Sequence, residues 1–85
     1  MYYVYFLKSL KNSHFYIGVT TNLDQRLTEH NAGKNSYTRK YKPWITVYFE
    51  EFDDKKIAYK REWFLKHPKG YREKLKILKN IGGVA

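Results

Sequence analysis

Tyr5, Tyr16, Arg26, His30 and Glu62 are the side chains of this sequence whose types and spacing suit phosphodiester chemistry. A separation of four puts Arg26 and His30 on one helical face about a turn apart, where both can point at one phosphate. A guanidinium stays charged, and its planar fork matches phosphate oxygens as negative charge builds on them. By residue type alone, Arg26 also fits a solvated surface charge, and His30 a helix-terminal histidine beside the dipole. A phenol such as Tyr5 or Tyr16 can pass a proton if a nearby cation lowers its pKa from about 10. The chain has nine tyrosines, however, and most must be amphipathic packing or surface residues. Tyr2, Tyr3, Tyr48, Tyr59 and Tyr71 take that reading, whereas Tyr37 and Tyr41 are also candidates for phosphate or base contacts. Glu62 falls beside Ala58 at the margin of a helical stripe made by Ile57, Ala58, Phe64 and Leu65. A half-buried carboxylate there suits a hard divalent cation, since magnesium commonly takes one or two protein carboxylates plus water and phosphate. The same residue also suits a solvated helix pair with Lys66 at i+4.

The elements that must position these side chains follow from pattern. Val4, Phe6 and the tyrosines around them are β-prone, and the turn Lys11-Asn12-Ser13 separates them from a second such run, His14 to Val19. A hairpin is expected. Thr21-Asn22-Leu23-Asp24 fits a helix start in which a hydroxyl caps a backbone N–H, so a helix is expected from Leu23 to His30, stopping near Gly33. A basic, polar loop with one helical turn should lead to Pro43. Trp44 to Phe49 alternates as a third strand, with Ile45, Val47 and Phe49 on one face. A second helix is expected after Asp53 or Asp54, ending before Pro68, which opens a third helix with Tyr71, Leu75 and Leu78 as its apolar stripe. Gly82-Gly83 suggests a loose C-terminal end over 80–85 around a domain core of about 2–79. Three strands and three helices in this order imply a small α+β domain, with the hairpin and the third strand in one sheet and helices against its faces; periodicity does not fix the strand order.

Composition narrows the class of function. Eighty-five residues suffice for one domain with a modest core. No cysteine is present, which excludes disulfides and thiolate metal sites. No apolar run approaches the ~20 residues that span a bilayer, and no signal-peptide pattern opens the chain, so no membrane role and a cytoplasmic location are expected. Lysine and arginine number 17 against 8 acidic residues, a formal charge of +9 that favours a polyanionic partner. The basic residues cluster as Lys34, Arg39, Lys40 and Lys42, and again as Lys69, Arg72, Lys74, Lys76 and Lys79. Both are phosphate-track candidates. Tyr37 and Tyr41 within the first cluster suggest backbone contact plus stacking rather than sequence readout. The second cluster also fits a solvated helix face.

Tyr3-Val4-Tyr5 and Tyr16-Ile17-Gly18, with Arg26 ten residues after Tyr16, His30, and Glu62 in a later helical pattern, resemble the GIY-YIG nuclease family. Glu29-His30-Asn31, Tyr37-Thr38-Arg39 and Lys42-Pro43-Trp44 resemble its small stand-alone members, and the likeness runs from Tyr3 through at least Leu65. It implies a three-stranded antiparallel sheet flanked by helices, and divalent-metal-dependent endonuclease activity with magnesium or manganese held at Glu62. It further implies water activation by Tyr5 or Tyr16, and charge or leaving-group stabilisation by Arg26 with His30. Gly18 would allow close approach of a helix or the substrate. Nucleic acid, DNA ahead of RNA and including structured or single-stranded forms, is the implied substrate, with DNA repair as a setting and either substrate structure or a protein partner as the source of specificity. Two positions depart from some relatives: Val19 stands where they have lysine, and Lys74 where they have asparagine. The alternative these departures leave open is a non-catalytic nucleic-acid-binding module on the same fold.

Overall fold

The computed structural model describes residues 1–81. Three strands, β1 (Tyr2–Ser9), β2 (Phe15–Thr20) and β3 (Trp44–Phe52), form one antiparallel sheet in the order β2-β1-β3. Helices α1 (Leu23–Asn31), α2 (Lys55–Lys66) and α3 (Tyr71–Asn80) flank it, with single 3-10 turns at Thr38–Tyr41 and Pro68–Gly70. This is the expected α+β architecture. Its middle strand carries alternate residues to two separate cores. Val4 and Phe6 join Ile17, Ala58, Leu65 and Ile77 on one face, where α2 and α3 pack. Tyr5 and Leu7 join Trp44 on the other, with Leu23 and Leu27 of α1 against them.

Local chemistry fixes the ends of α1. The side-chain oxygen of Asn22 accepts the Gln25 N–H at 3.0 Å, so an amide and not the expected hydroxyl caps the helix. At the other end Gly33 adopts φ +81°, its N–H donates to the His30 carbonyl, and Lys34 N–H donates to the Glu29 carbonyl. That pattern satisfies the last carbonyls through a left-handed residue that glycine adopts without penalty. Asn31 then ties the helix to the sheet, because its side chain both accepts the Trp44 N–H at 2.6 Å and donates to the Trp44 carbonyl at 3.0 Å.

Three packing expectations are corrected. A bulge opposite Phe6/Leu7 lets Phe6 pair with Tyr48 and Leu7 with Thr46. Phe49 therefore pairs with Tyr5 and lies edge-on to Tyr3, while Val47 packs on the α2/α3 core, so Ile45, Val47 and Phe49 do not share a face. On α3 the inward residue is Ile77, with Leu78 and the following Ile81 beside it, whereas Tyr71 and Leu75 are exposed. On α2, Ala58 and Leu65 are buried and Phe64 packs beside them, but Ile57 faces solvent. The expected loose end at 80–85 falls largely outside the described residues: Asn80 still belongs to α3, and Gly82-Gly83 lies beyond them.

Candidate active site

The α1 face of the sheet carries a hydrogen-bonded cluster centred on Tyr5. The register sets Tyr5 opposite Gly18 and Leu7 opposite Tyr16. The Tyr5 ring lies directly over Gly18, where a Cβ would come within 2.5 Å of the phenol oxygen and 2.6 Å of Cζ. Gly18 thus makes room for a tyrosine of its own sheet, not for a helix or a ligand. Tyr5 Oη accepts from Arg26 Nε at 3.3 Å and is hydrogen-bonded to His30 Nε2 at 3.0 Å. Burial pushes the Tyr5 phenol up to about 12, with Tyr16 and Glu62 adding to the shift and the Arg26 hydrogen bond opposing it. At neutral pH Tyr5 is a protonated phenol.

Arg26 is held at two points. Besides its bond to Tyr5, Nη1 donates to Glu29 Oε1 at 3.0 Å, and this hydrogen bond holds the Glu29 carboxyl below its ordinary value. Its side chain remains 34% exposed and lines a groove with Thr20, Thr21, Lys55 and Tyr59. His30, one turn later, shares the expected helical face but lies wholly inside the protein. Its Nδ1 is hydrogen-bonded to Thr38 Oγ1 at 2.7 Å, so both ring nitrogens are engaged. Burial, reinforced by the Arg26 charge, depresses its pKa to about 4. A buried, neutral imidazole presents no charge to a phosphate or to the helix dipole, and His30 is joined to the cluster by its hydrogen bond to Tyr5.

Tyr16 is half-buried in an aromatic nest: His30 edge-on at 5.0 Å, Trp44 edge-on at 6.4 Å, and Tyr37 stacked at 6.3 Å with 29° between the planes. Lys66 Nζ lies 5.6 Å above its ring and also pairs with Glu62 Oε2 at 3.1 Å. Lys66 thus links Glu62 to the Tyr16 ring, and the Glu62 charge is the smallest of the influences that raise the Tyr5 pKa. Among the described residues no group of three or more His, Asp or Glu side chains could hold an ion together. Glu62 nevertheless fits a magnesium-type site: it is a hard oxygen donor, 20% exposed, held only by an i,i+4 pair of the kind worth a few tenths of a kcal/mol.

The first basic cluster lies next to this site. Lys34, Arg39, Lys40 and Lys42 are exposed on the segment between α1 and β3, which lays Tyr37 on Tyr16 and brings Thr38 to His30. Arg72 is set apart. It lies on the exposed side of α3, whose packing face meets the core across the sheet from Tyr5. Sequence reasoning missed Thr38, whose hydroxyl gives no periodic signal and meets His30 only when the loop folds back. It also read Lys66 only as a helix partner of Glu62, because contact with Tyr16 depends on how α2 packs against β2.

A family model described as the GIY-YIG catalytic domain matches residues 1–76. The chain is 44% identical over 66 residues to a UPF0213 protein of Staphylococcus haemolyticus, covering 76% of this chain and 79% of that one. It is 36% identical over 80 residues to the UPF0213 protein YsiG of Lactococcus lactis, covering 93% and 76%. Among solved structures, the solution NMR structure of a UPF0213 protein from Bacillus halodurans shares 35% identity with a TM-score of 0.53, over 93% of this chain and 86% of that one.

Proposed function

The chain belongs to the GIY-YIG family, a nuclease fold, and from that premise we propose that it is an endonuclease hydrolysing phosphodiester bonds of DNA with a divalent cation, magnesium or manganese, held at Glu62. The observation that carries this reading is the convergence of Tyr5, Tyr16 and Arg26, with Glu62 joined to them through Lys66, from four separate elements. Such a cation supplies Lewis-acid polarisation of the phosphoryl oxygens. Glu62 would hold it in place of its present pair with Lys66. Arg26, braced by Tyr5 and Glu29, presents a charged fork to the phosphate without reorganising as charge develops. Tyr16, half-buried where Tyr5 is enclosed, would act as its phenolate, having first released its own proton to solvent, and take the proton of the attacking water to become a neutral phenol, while Tyr5 stays protonated and positions Arg26. His30 and Thr38 position Tyr5. Lys34, Tyr37, Arg39, Lys40 and Lys42 carry the flanking strand, with Arg72 a remote contact at most. A partner protein supplies target choice in the cytoplasm. Among the described residues no helix is long and apolar enough to cross a membrane.

A metal-dependent cleavage assay on duplex, flapped, branched and single-stranded substrates tests the proposal. Arg26→Ala and Glu62→Gln should each cost ~10²- to 10³-fold in rate while leaving affinity within a few-fold. A variant that cleaves as fast as the parent loses its assigned role. The second reading, a binding module without turnover, draws support from the Lys66 cation already seated on Glu62. Binding without cleavage of any substrate, with each metal, would favour it.

A further inference from the structure

We propose that the outward face of α2 is a stacking platform for unpaired bases, formed by Trp63 and Tyr59 among Lys55, Lys56 and Lys60. The proposal rests on the nucleic-acid reading of the site and deepens it with a substrate class: the strand leaving the Arg26 groove is single-stranded where it crosses α2.

While Ala58 and Leu65 anchor α2 to the core, Tyr59 is 48% and Trp63 56% exposed on its other side. Two large aromatic rings left in water on one helical face are unlike scattered surface hydrophobics and mark a contact surface. Trp63 is also braced. The His67 imidazole lies nearly parallel to the indole at 4.3 Å and 24°, and His67 is itself fixed by accepting the Lys69 N–H at 3.1 Å. One indole face is therefore supported from behind, and a base landing on the other meets a ring with little freedom left to lose.

Charge selects the occupant. Lys55, Lys56 and Lys60 are exposed around the two rings, and with them line one shallow, open concavity of about 570 Å³. Among the described residues the ion pairs engage Arg26, Arg61 and Lys66, and none of these three lysines. Aromatic rings interleaved with unpaired cations suit a strand whose phosphates meet the lysines and whose bases meet the rings. A duplex keeps its base faces stacked on each other; only an unpaired strand has them to offer. A second copy of the chain is a poor fit, because a twofold contact here would press the same lysines against their equivalents. The platform is continuous with the site: Lys55 and Tyr59 line both this concavity and the groove that holds Arg26.

Binding of three labelled probes by fluorescence anisotropy tests the proposal: a short oligothymidylate, a duplex of equal length, and an abasic deoxyribose-phosphate strand. Trp63→Ala should weaken the oligothymidylate complex about tenfold or more, leave the other two within about twofold, and keep the salt slope of the parent, while Trp63→Phe should restore most of the loss. Tyr59→Ala, outside the His67 stack, is the second variant and should show the same selectivity. Equal oligothymidylate affinity in the parent and both variants overturns the platform, as does equal weakening of all three probes. A sedimenting dimer that Trp63→Ala dissolves overturns it in favour of a second copy. Because Glu62→Gln leaves the platform intact, lost cleavage with retained Trp63-dependent binding supports the platform whatever becomes of the nuclease. Cleavage by the parent together with Trp63-independent binding removes the platform alone.

Discussion

At the scale of single residues, the site depends on a missing side chain and an uncharged ring. A methyl at Gly18 must displace the Tyr5 phenol, which is also the acceptor for Arg26. Gly18→Ala should therefore cost ~1–3 kcal/mol in urea unfolding and reduce cleavage by displacing Tyr5; a variant with parental stability and rate would show that Tyr5 can move freely. His30 gives a pH signature. Its pKa falls from an ordinary 6.5 to about 4 in the folded protein, chiefly by burial and secondly by Arg26. Between those values the unfolded chain takes up a proton that the folded chain refuses, so stability falls as pH drops from 6.5 towards 4, by on the order of 3 kcal/mol. Above 6.5 this contribution is constant. Urea midpoints across the window should shift less in His30→Gln than in the parent, and identical pH dependence in the two proteins would remove His30 as the cause.

At the scale of elements, the joint between α2 and α3 is the tightest constraint. Gly70 is buried against the Phe64 carbonyl, where a Cβ would overlap the oxygen, and Arg61 beside it bridges Glu50 at 2.7 Å and Glu73 at 3.0 Å. Gly70→Ala should destabilise by about 3 kcal/mol or more and loosen α3 first; hydrogen exchange that leaves α3 protection unchanged would contradict this. Such joints are barely legible in sequence. Pro68 announced a helix start, but the α helix begins three residues later, after a 3-10 turn capped by His67. Tyr71, Leu75 and Leu78 are as periodic as the true inward face, and only packing on Ala58 and Leu65 decides for Ile77. Alternation in β3 failed at Val47 because one extra residue inverts the pleat without altering composition. What sequence did reveal is short-range: the hairpin, the place where the first helix starts though not the group that caps it, and the step from Tyr16 to Arg26. Thr38 and Lys66 join the site through contacts that no spacing rule encodes.

At the scale of the whole molecule, a charge of +9 dominates encounter with a polyanion. Affinity for DNA should fall steeply and linearly on a log–log plot against salt, and Lys40→Ala should make that slope shallower by about one counterion while Arg72→Ala changes it less. Equal slopes would place the two basic clusters on the same footing. Tyr5 belongs to both the core and the candidate site: it is 2% exposed, packs in the Leu7–Trp44 core, and carries the hydroxyl that meets Arg26. Glu62 and the guanidinium of Arg26, by contrast, lie near the surface and can be exchanged at small cost to folding. Relaxed selection acts on these two positions unequally. A lineage that stops cutting should drift first at Glu62 and Arg26, while Tyr5 and Gly18 persist for stability, so retention of the tyrosine–glycine pair records descent and the carboxylate–arginine pair records continued use.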